Sequence, residues 1–523
     1  MYQRLALVHG VAVHPDSCIQ IPQGLPPADL VDSADHRGLK IVCGNTDYLG
    51  AAVGTNDEQM VEWTRSKLST IKPVERAVSD TSFPVLLALR LAKTNVLTVP
   101  TYLNRALPLR VSCVPLADFD LRVRNCLLSR LDLPVPLPAP AFTSLTQPGR
   151  NGGLGLRLRS SIAPAAKWAS AAIAAPDLVD LASRVPKLPF VVDRETCHSL
   201  LRTAGVRISD KPDQVQEDGE RGSSCPLYTL PSDPANIATH YQGEPRIRCL
   251  QRSLTRQIED SALKCFLSSL DCSQEDRTRL KCCSRAKGQP VVNAWLSAAA
   301  GSSLEDCHAR VAIRLRLGLA PIPSLDLRNC PLCREDDIDP WHALTCIHTV
   351  SRSVTTRHDN VANLLIAFLN ANLCVARAVK KAEDSKLPDV EAHLVRETVY
   401  LDVSGTHIFA NSYRENTFLD HMSGLVSRAN LKTDKYAAWA RDRGARFAPF
   451  VLDSFGRLHC EAANFITLIA TECARFAPSP ARKCVHSFIA ELSTIWQRGN
   501  GEIVSEWAVL CRAVLLSSRP SSS

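Results

Sequence analysis

Cys330-Pro-Leu-Cys333, followed by His342 and Cys346, makes a C-x2-C-x8-H-x3-C run. The C-x2-C turn aims two thiolates at one point. A His and a Cys one helical turn apart supply two further corners, which meets the tetrahedral demand of Zn2+. The intervening segment 334–341 is short and polar, too small to bury a core, so a bound metal would contribute most of the folding energy of this knuckle. His348 is an alternative fourth ligand. Cys272, Cys282, Cys283, Cys307 and His308 fit no ligand spacing and are read as structural.

A second set of residues carries acid and base chemistry. From Pro388-Asp389 the chain alternates, with Val390, Ala392 and Leu394 on one side and Asp389, Glu391 and His393 on the other. The next segment repeats this: Val399, Leu401 and Val403 face inward, and Tyr400, Asp402 and Ser404 lie opposite. Asp389 and Asp402 are symmetric about Val395 and Arg396, so a tight hairpin closing there would set them side by side. That turn lacks Gly or Asn, and a one-residue slip would separate the carboxylates. Two facing carboxylates repel unless a cation lies between them, and Mg2+ with oxygen ligands is the natural tenant. Lys432 and Lys435, with Tyr436 next to them, would present two ammonium groups on one helix face. Acid, acid and lysine around a metal can hydrolyse phosphodiesters. An ordinary edge hairpin with solvated aspartates beside a charged helix is the competing reading.

These residues need elements to hold them. Periodicity predicts helices over 57–71, 84–97, 116–131, 164–174, 353–369, 411–440 with a break near Asn430, and 460–516. It predicts strand and turn over 38–53, and strands over 388–405 and 447–455. Alternating Pro in 133–140 makes an extended connector, 149–155 is a turn cluster, and the polar stretch 209–244 reads as a linker. The 523 residues allow three or four domains. With 45% hydrophobic and 22% charged residues, the chain is neither disordered throughout nor a fibrous repeat. The net charge of +8 is too mild to show nucleic-acid binding alone, but Arg246–Arg316 holds 13 basic against seven acidic residues, a net +6. Arg246, Arg248, Arg252, Arg256, Arg310 and Arg314 are its candidates for tracking a nucleic-acid backbone, the alternative being solvated helix faces. No run of 18 uncharged apolar residues exists and Met1–Gly10 lacks a signal-peptide core, so neither a membrane nor secretion is expected and the thiols are read as reduced.

The order of parts resembles one family. A CCHC knuckle, Arg357-His358, Pro388-Asp389, Leu401-Asp402-Val403 and then Lys432-x-x-Lys435-Tyr436 is similar to the C-terminal half of non-LTR retrotransposon polyproteins that carry a restriction-enzyme-like endonuclease. In that family the lysine is displaced onto a later helix, which suits Ser404 standing where a restriction-type PD-(D/E)xK core would place it. The segments Phe447–Val451 and Phe455-Gly456 resemble the strand that follows. Upstream, 49–54 looks like the end of a reverse transcriptase palm, while 102–105, 118–120 and 152–156 resemble the thumb region.

The resemblance implies a helix-rich α/β multidomain chain: a residual palm end and thumb over 1–131, a post-thumb region and linker over 132–245, a basic helical connector over 246–329, the knuckle over 330–348 and the endonuclease over 349–523. It implies structural Zn2+ on Cys330, Cys333, His342 and Cys346, and catalytic Mg2+ on Asp389 and Asp402, with Lys432 or Lys435 serving the nucleophile. Tyr436 and the arginines would contact DNA, and element RNA is a further partner; no small-molecule substrate is expected. The place of action would be the nucleus, otherwise the cytoplasm. The family's polymerase needs an aromatic-x-Asp-Asp hairpin, and the one Asp-Asp here is Asp336-Asp337 in the knuckle, so no DNA synthesis is expected from this chain alone. A non-catalytic nucleic-acid-binding remnant is the alternative. His358 and Asp359 are read as helix-face residues that could join the nuclease site.

Overall fold

A computed structural model describes strands within residues 18–53, then residues 56–184, 194–207, 249–284, 291–297, 304–348, 352–379 and 387–517 with single positions left out at 326, 373 and 477. The expected linker 209–244, Arg246 and Arg248 lie outside the described residues. The chain is helix-rich with one small mixed sheet of four strands, the α/β class expected. It divides into two compact units, each built from several stretches of sequence.

The first unit takes in Met1–Arg76, Asn95–Asn125 and Leu158–Ser261. Strands β1 (Cys18–Ile21) and β2 (Lys40–Cys43) pair in parallel, and β3 (Thr46–Tyr48) with β4 (Ala51–Val53) antiparallel. The helix Asp57–Ser69 starts where Asn56 accepts the N–H of Gln59 at 3.0 Å, an N-cap that satisfies one otherwise orphan donor. Asp120 closes the start of the helix Arg159–Arg184 in the same way, accepting from the N–H groups of Arg159 and Ser160 at 2.8 Å each.

The second unit takes in Ala77–Thr94, Cys126–Arg157 and Ala262–Ser523. Its sheet runs in the order β5 (Val375–Ala378), β6 (Val390–His393), β7 (Thr398–Thr406) and β8 (Arg446–Asp453), antiparallel until β7 meets β8 in parallel. The hairpin between β6 and β7 pairs His393 with Thr398 and Val390 with Leu401, so it folds about Val395 and Arg396. One face packs Val390, Ala392, Val399, Leu401 and Val403 against the helices Arg352–Asn370, Cys460–Phe476 and Pro478–Ser517.

The other face departs from expectation. Tyr400, Asp402 and Ser404 are buried too, because the helix Ser423–Arg441 lies over β7 and β8. A strand covered on both faces has no solvated side, and a helix on the connection between parallel strands is what covers it. The break expected near Asn430 falls instead between the helix Arg414–Leu419 and that one, where Asp420 accepts the N–H of Met422 at 3.0 Å.

The arginines of the basic connector need a larger correction. Arg314 is buried, its guanidinium bonded to the carbonyls of Ala320 and Asp132. Arg316 reaches the carbonyls of Gly152 and Cys283, and Arg279 those of Arg316 and the hydroxyl of Ser144. These side chains are spent on backbone carbonyls and a hydroxyl inside the unit, so they cannot track a phosphate backbone. Arg310 lies 3.9 Å from Asp306 and Arg256 3.7 Å from Asp260, while Arg252 is exposed.

His407, just past β7, is buried and bonds Ser454 Oγ through Nδ1 at 2.7 Å. Burial, then the charges of Arg357 and Arg414, hold its pKa down at about 3. The unfolded chain takes up a proton near pH 6.5 that the folded chain refuses, so this group's stabilisation is complete above pH 6.5 and is lost as pH falls toward 3. From pH 7 to 5 the loss is about 2 kcal/mol. Buried Asp453, pushed up to about 6 by desolvation, acts in the opposite sense below pH 6. Urea unfolding at pH 7 and 5 should therefore show a shallower acid loss in His407→Asn than in the natural chain. Equal pH slopes would refute a buried neutral histidine.

Candidate metal and nuclease centres

The four knuckle residues converge. Their ligand atoms all lie within 4.8 Å of one another, with Cys330 Sγ 3.9 Å from Cys346 Sγ and Cys333 Sγ 3.3 Å from His342 Nε2. A zinc tetrahedron with bonds of about 2.0–2.3 Å has edges of roughly 3.3–3.8 Å, so the cluster could hold a metal ion such as zinc. Arg334 and Asp337 adopt left-handed backbone (φ 62° and 49°), which lets the short loop double back, and the N–H of Cys330 bonds the carbonyl of Glu335 at 2.9 Å. His342 Nδ1 lies 3.2 Å from Glu335 Oε2, a partner that fixes the ring with Nε2 toward the thiols. His348 is exposed and outside the cluster. Cys272, Cys282 and Cys283 are buried, whereas Cys307 and His308 group with Glu305 on one turn where Glu305 and Cys307 are exposed.

The hairpin brings the acids to one place. Asp389 immediately precedes β6: its N–H donates to the carbonyl of Leu401 at 2.9 Å and its carboxylate accepts the N–H of Val403 at 2.8 Å. Asp402 lies in β7 opposite Pro449, and a proline is tolerated in β8 because that strand is an edge. Burial raises the Asp402 pKa, a bond from Lys432 lowers it, and the charge of Asp389 raises it again. The two carboxylates therefore feel one another.

Each acid carries its own cation. Lys432 Nζ lies 2.8 Å from Asp402 Oδ2, and His358 Nε2 lies 3.0 Å from Asp389 Oδ2. The helix Ser423–Arg441 sets Lys432 there by register: Leu425, Ala429, Tyr436 and Ala440 are its buried stripe, and Lys432 falls on the same line. Lys435 falls one position off it, is exposed, and places its ammonium 2.9 Å from the Tyr436 hydroxyl and 4.6 Å from the ring centroid. Tyr436 is buried against Tyr400 and Phe447, with its pKa raised by burial and then by Asp402. It is thus a wall of the acid site rather than a surface contact for DNA.

His358 joins the site from outside the hairpin. It projects from the helix Arg352–Asn370, and its bond to Asp389, with help from Asp359, lifts its pKa to about 9. The sequence signal was its place three and four residues before the buried Val361 and Ala362, which puts it on the inward side of the helix. Arg357 beside it is half-buried, its guanidinium over the Trp496 ring at 4.2 Å and bonded to Asn500, which makes it part of the packing. Among the described residues no helix is long and apolar enough to cross a membrane. No protein-family model and no curated protein matches the chain.

Proposed function

We propose that the chain is a metal-dependent endonuclease that nicks DNA, related to the nuclease part of non-LTR retrotransposon polyproteins. The observation that carries this reading is the convergence of Asp389, Asp402 and Lys432 at the end of one hairpin under one helix. Asp389 and Asp402 offer hard oxygen donors whose mutual repulsion favours a divalent cation, so they would hold Mg2+. When bound, such a cation polarises the phosphate and makes water a nucleophile near neutral pH. Lys432 would stabilise negative charge at the scissile phosphate. His358 orients Asp389 through its Nε2. Zn2+ in the knuckle would be structural, the partner is DNA, and the place of action is the nucleus.

The test is nicking of supercoiled plasmid with Mg2+. Lys432→Met should lower the rate by about 100-fold, and Lys435→Met by less than about threefold. A natural chain that binds DNA yet leaves the plasmid intact, or equal losses in both variants, would sink the proposal.

A further inference from the structure

The covering helix does more than deliver Lys432. Arg428, Lys432, Tyr436, Trp439 and Arg443 follow at helical spacing along one stripe that begins on the sheet and ends in solvent. At its inner end Arg428 donates to Ser404 Oγ at 2.8 Å and Lys432 pairs with Asp402. At its outer end three side chains form a column. Tyr400 meets Trp439 edge-on with ring centroids 4.7 Å apart, and the Arg443 guanidinium lies over the indole at 4.1 Å. Arg443 also donates to the Trp439 carbonyl at 3.1 Å, which holds it there.

Neighbouring arginines are spent differently. Arg446 is paired with Glu397 at 3.0 Å and Arg377 with Glu391 at 2.8 Å. Arg443 is exposed and pairs with no carboxylate among the described residues. A guanidinium held against an indole keeps its charge and leaves its outer plane to solvent. Such a plane accepts an unstacked base while its N–H groups reach phosphate oxygens.

We propose that Arg443, backed by Trp439 and Tyr400, is a stacking platform for a base of single-stranded DNA leaving the acid centre. Nine residues of helix rise carry the chain about 14 Å from Lys432 to Arg441, and Arg443 follows in the turn beyond it, the reach of a few nucleotides. Exposed Lys435 between them is placed to meet the connecting phosphates. Bases inside a duplex present no free face, so the platform selects a flanked or frayed end over duplex DNA. The position of the strand rests on the nuclease reading; the stacking does not.

Equilibrium binding without added Mg2+, where nothing can be cut and the knuckle keeps its metal, separates the two. Arg443→Lys keeps the charge and removes the plane. It should weaken binding to a duplex with a single-stranded flank by about tenfold and leave the blunt duplex unchanged. Trp439→Ala should follow the same pattern. Undiminished binding of flanked DNA by Arg443→Lys, equal losses on both DNAs, or no preference for flanked DNA in the natural chain would each overturn the platform. A chain that binds through Arg443 but never nicks with Mg2+ would keep it and sink the nuclease reading.

Discussion

Asp389→Asn is expected to lower Mg2+-dependent nicking by about 1000-fold and to lower the melting temperature modestly near neutral pH, because the His358 imidazolium loses the counter-charge that raises its pKa. The amide is the same shape as the carboxylate, and its oxygen can still accept the N–H of Val403 that Asp389 accepts at 2.8 Å. What is lost is the negative charge that would hold the cation. Asp402→Asn should lower cutting to the same extent but cost the fold more, since Lys432 is less exposed than His358. Its partner Lys432 is mostly buried, so the neutral amide leaves an ammonium without its counter-charge, at a cost of about 1–3 kcal/mol. Initial nicking rates and thermal melts on the two variants separate chemistry from stability. Wild-type cutting by Asp389→Asn would refute the assignment of the acid.

The second large effect concerns the knuckle. Cys346→Ser should leave the purified chain without its bound metal and lower the melting temperature of the unit by on the order of 10 °C. Cys330, Trp341, Ala343 and Cys346 do not stand alone: they pack into one cluster with Ile408, Phe409, Phe455, Val504 and Trp507. Trp341 adds a bond from its indole N–H to the Leu315 carbonyl at 3.1 Å. Free thiols could not hold so short a loop against its left-handed turns at Arg334 and Asp337. Elemental analysis should find one zinc per natural chain, and a metal-free chain of unchanged stability would count against a structural metal.

The hairpin could be read from the sequence because its alternation has period two and its acids are equidistant from the turn; the pairing of Val390 with Leu401 follows that arithmetic. Lys432 was legible as one of two lysines. The choice between them needed the apolar line Leu425, Ala429, Tyr436, Ala440, which is also in the sequence. The burial of Asp402 was not legible, because the face opposite Val403 reads as polar and only the return of the chain through a covering helix closes it. Nor was the meeting of His358 with Asp389, residues 31 apart joined through tertiary packing. Arg314 misled for a physical reason: arginine in a helix is ordinarily exposed, and the carbonyls of Ala320 and Asp132 that draw it inward leave no local mark.

Strand β7 carries Asp402 in its middle, and the residues that follow it, Ile408 and Phe409, are seated on the knuckle cluster. The knuckle therefore acts as an anchor at one end of the strand that bears the acid. Local opening of β7 must first pull Phe409 away from Trp341, whose rings lie 4.6 Å apart. Amide exchange along Leu401–Ser404 should thus depend on whether four ligands that never touch the acid hold a metal, and emptying the knuckle should loosen the acid pair from a distance.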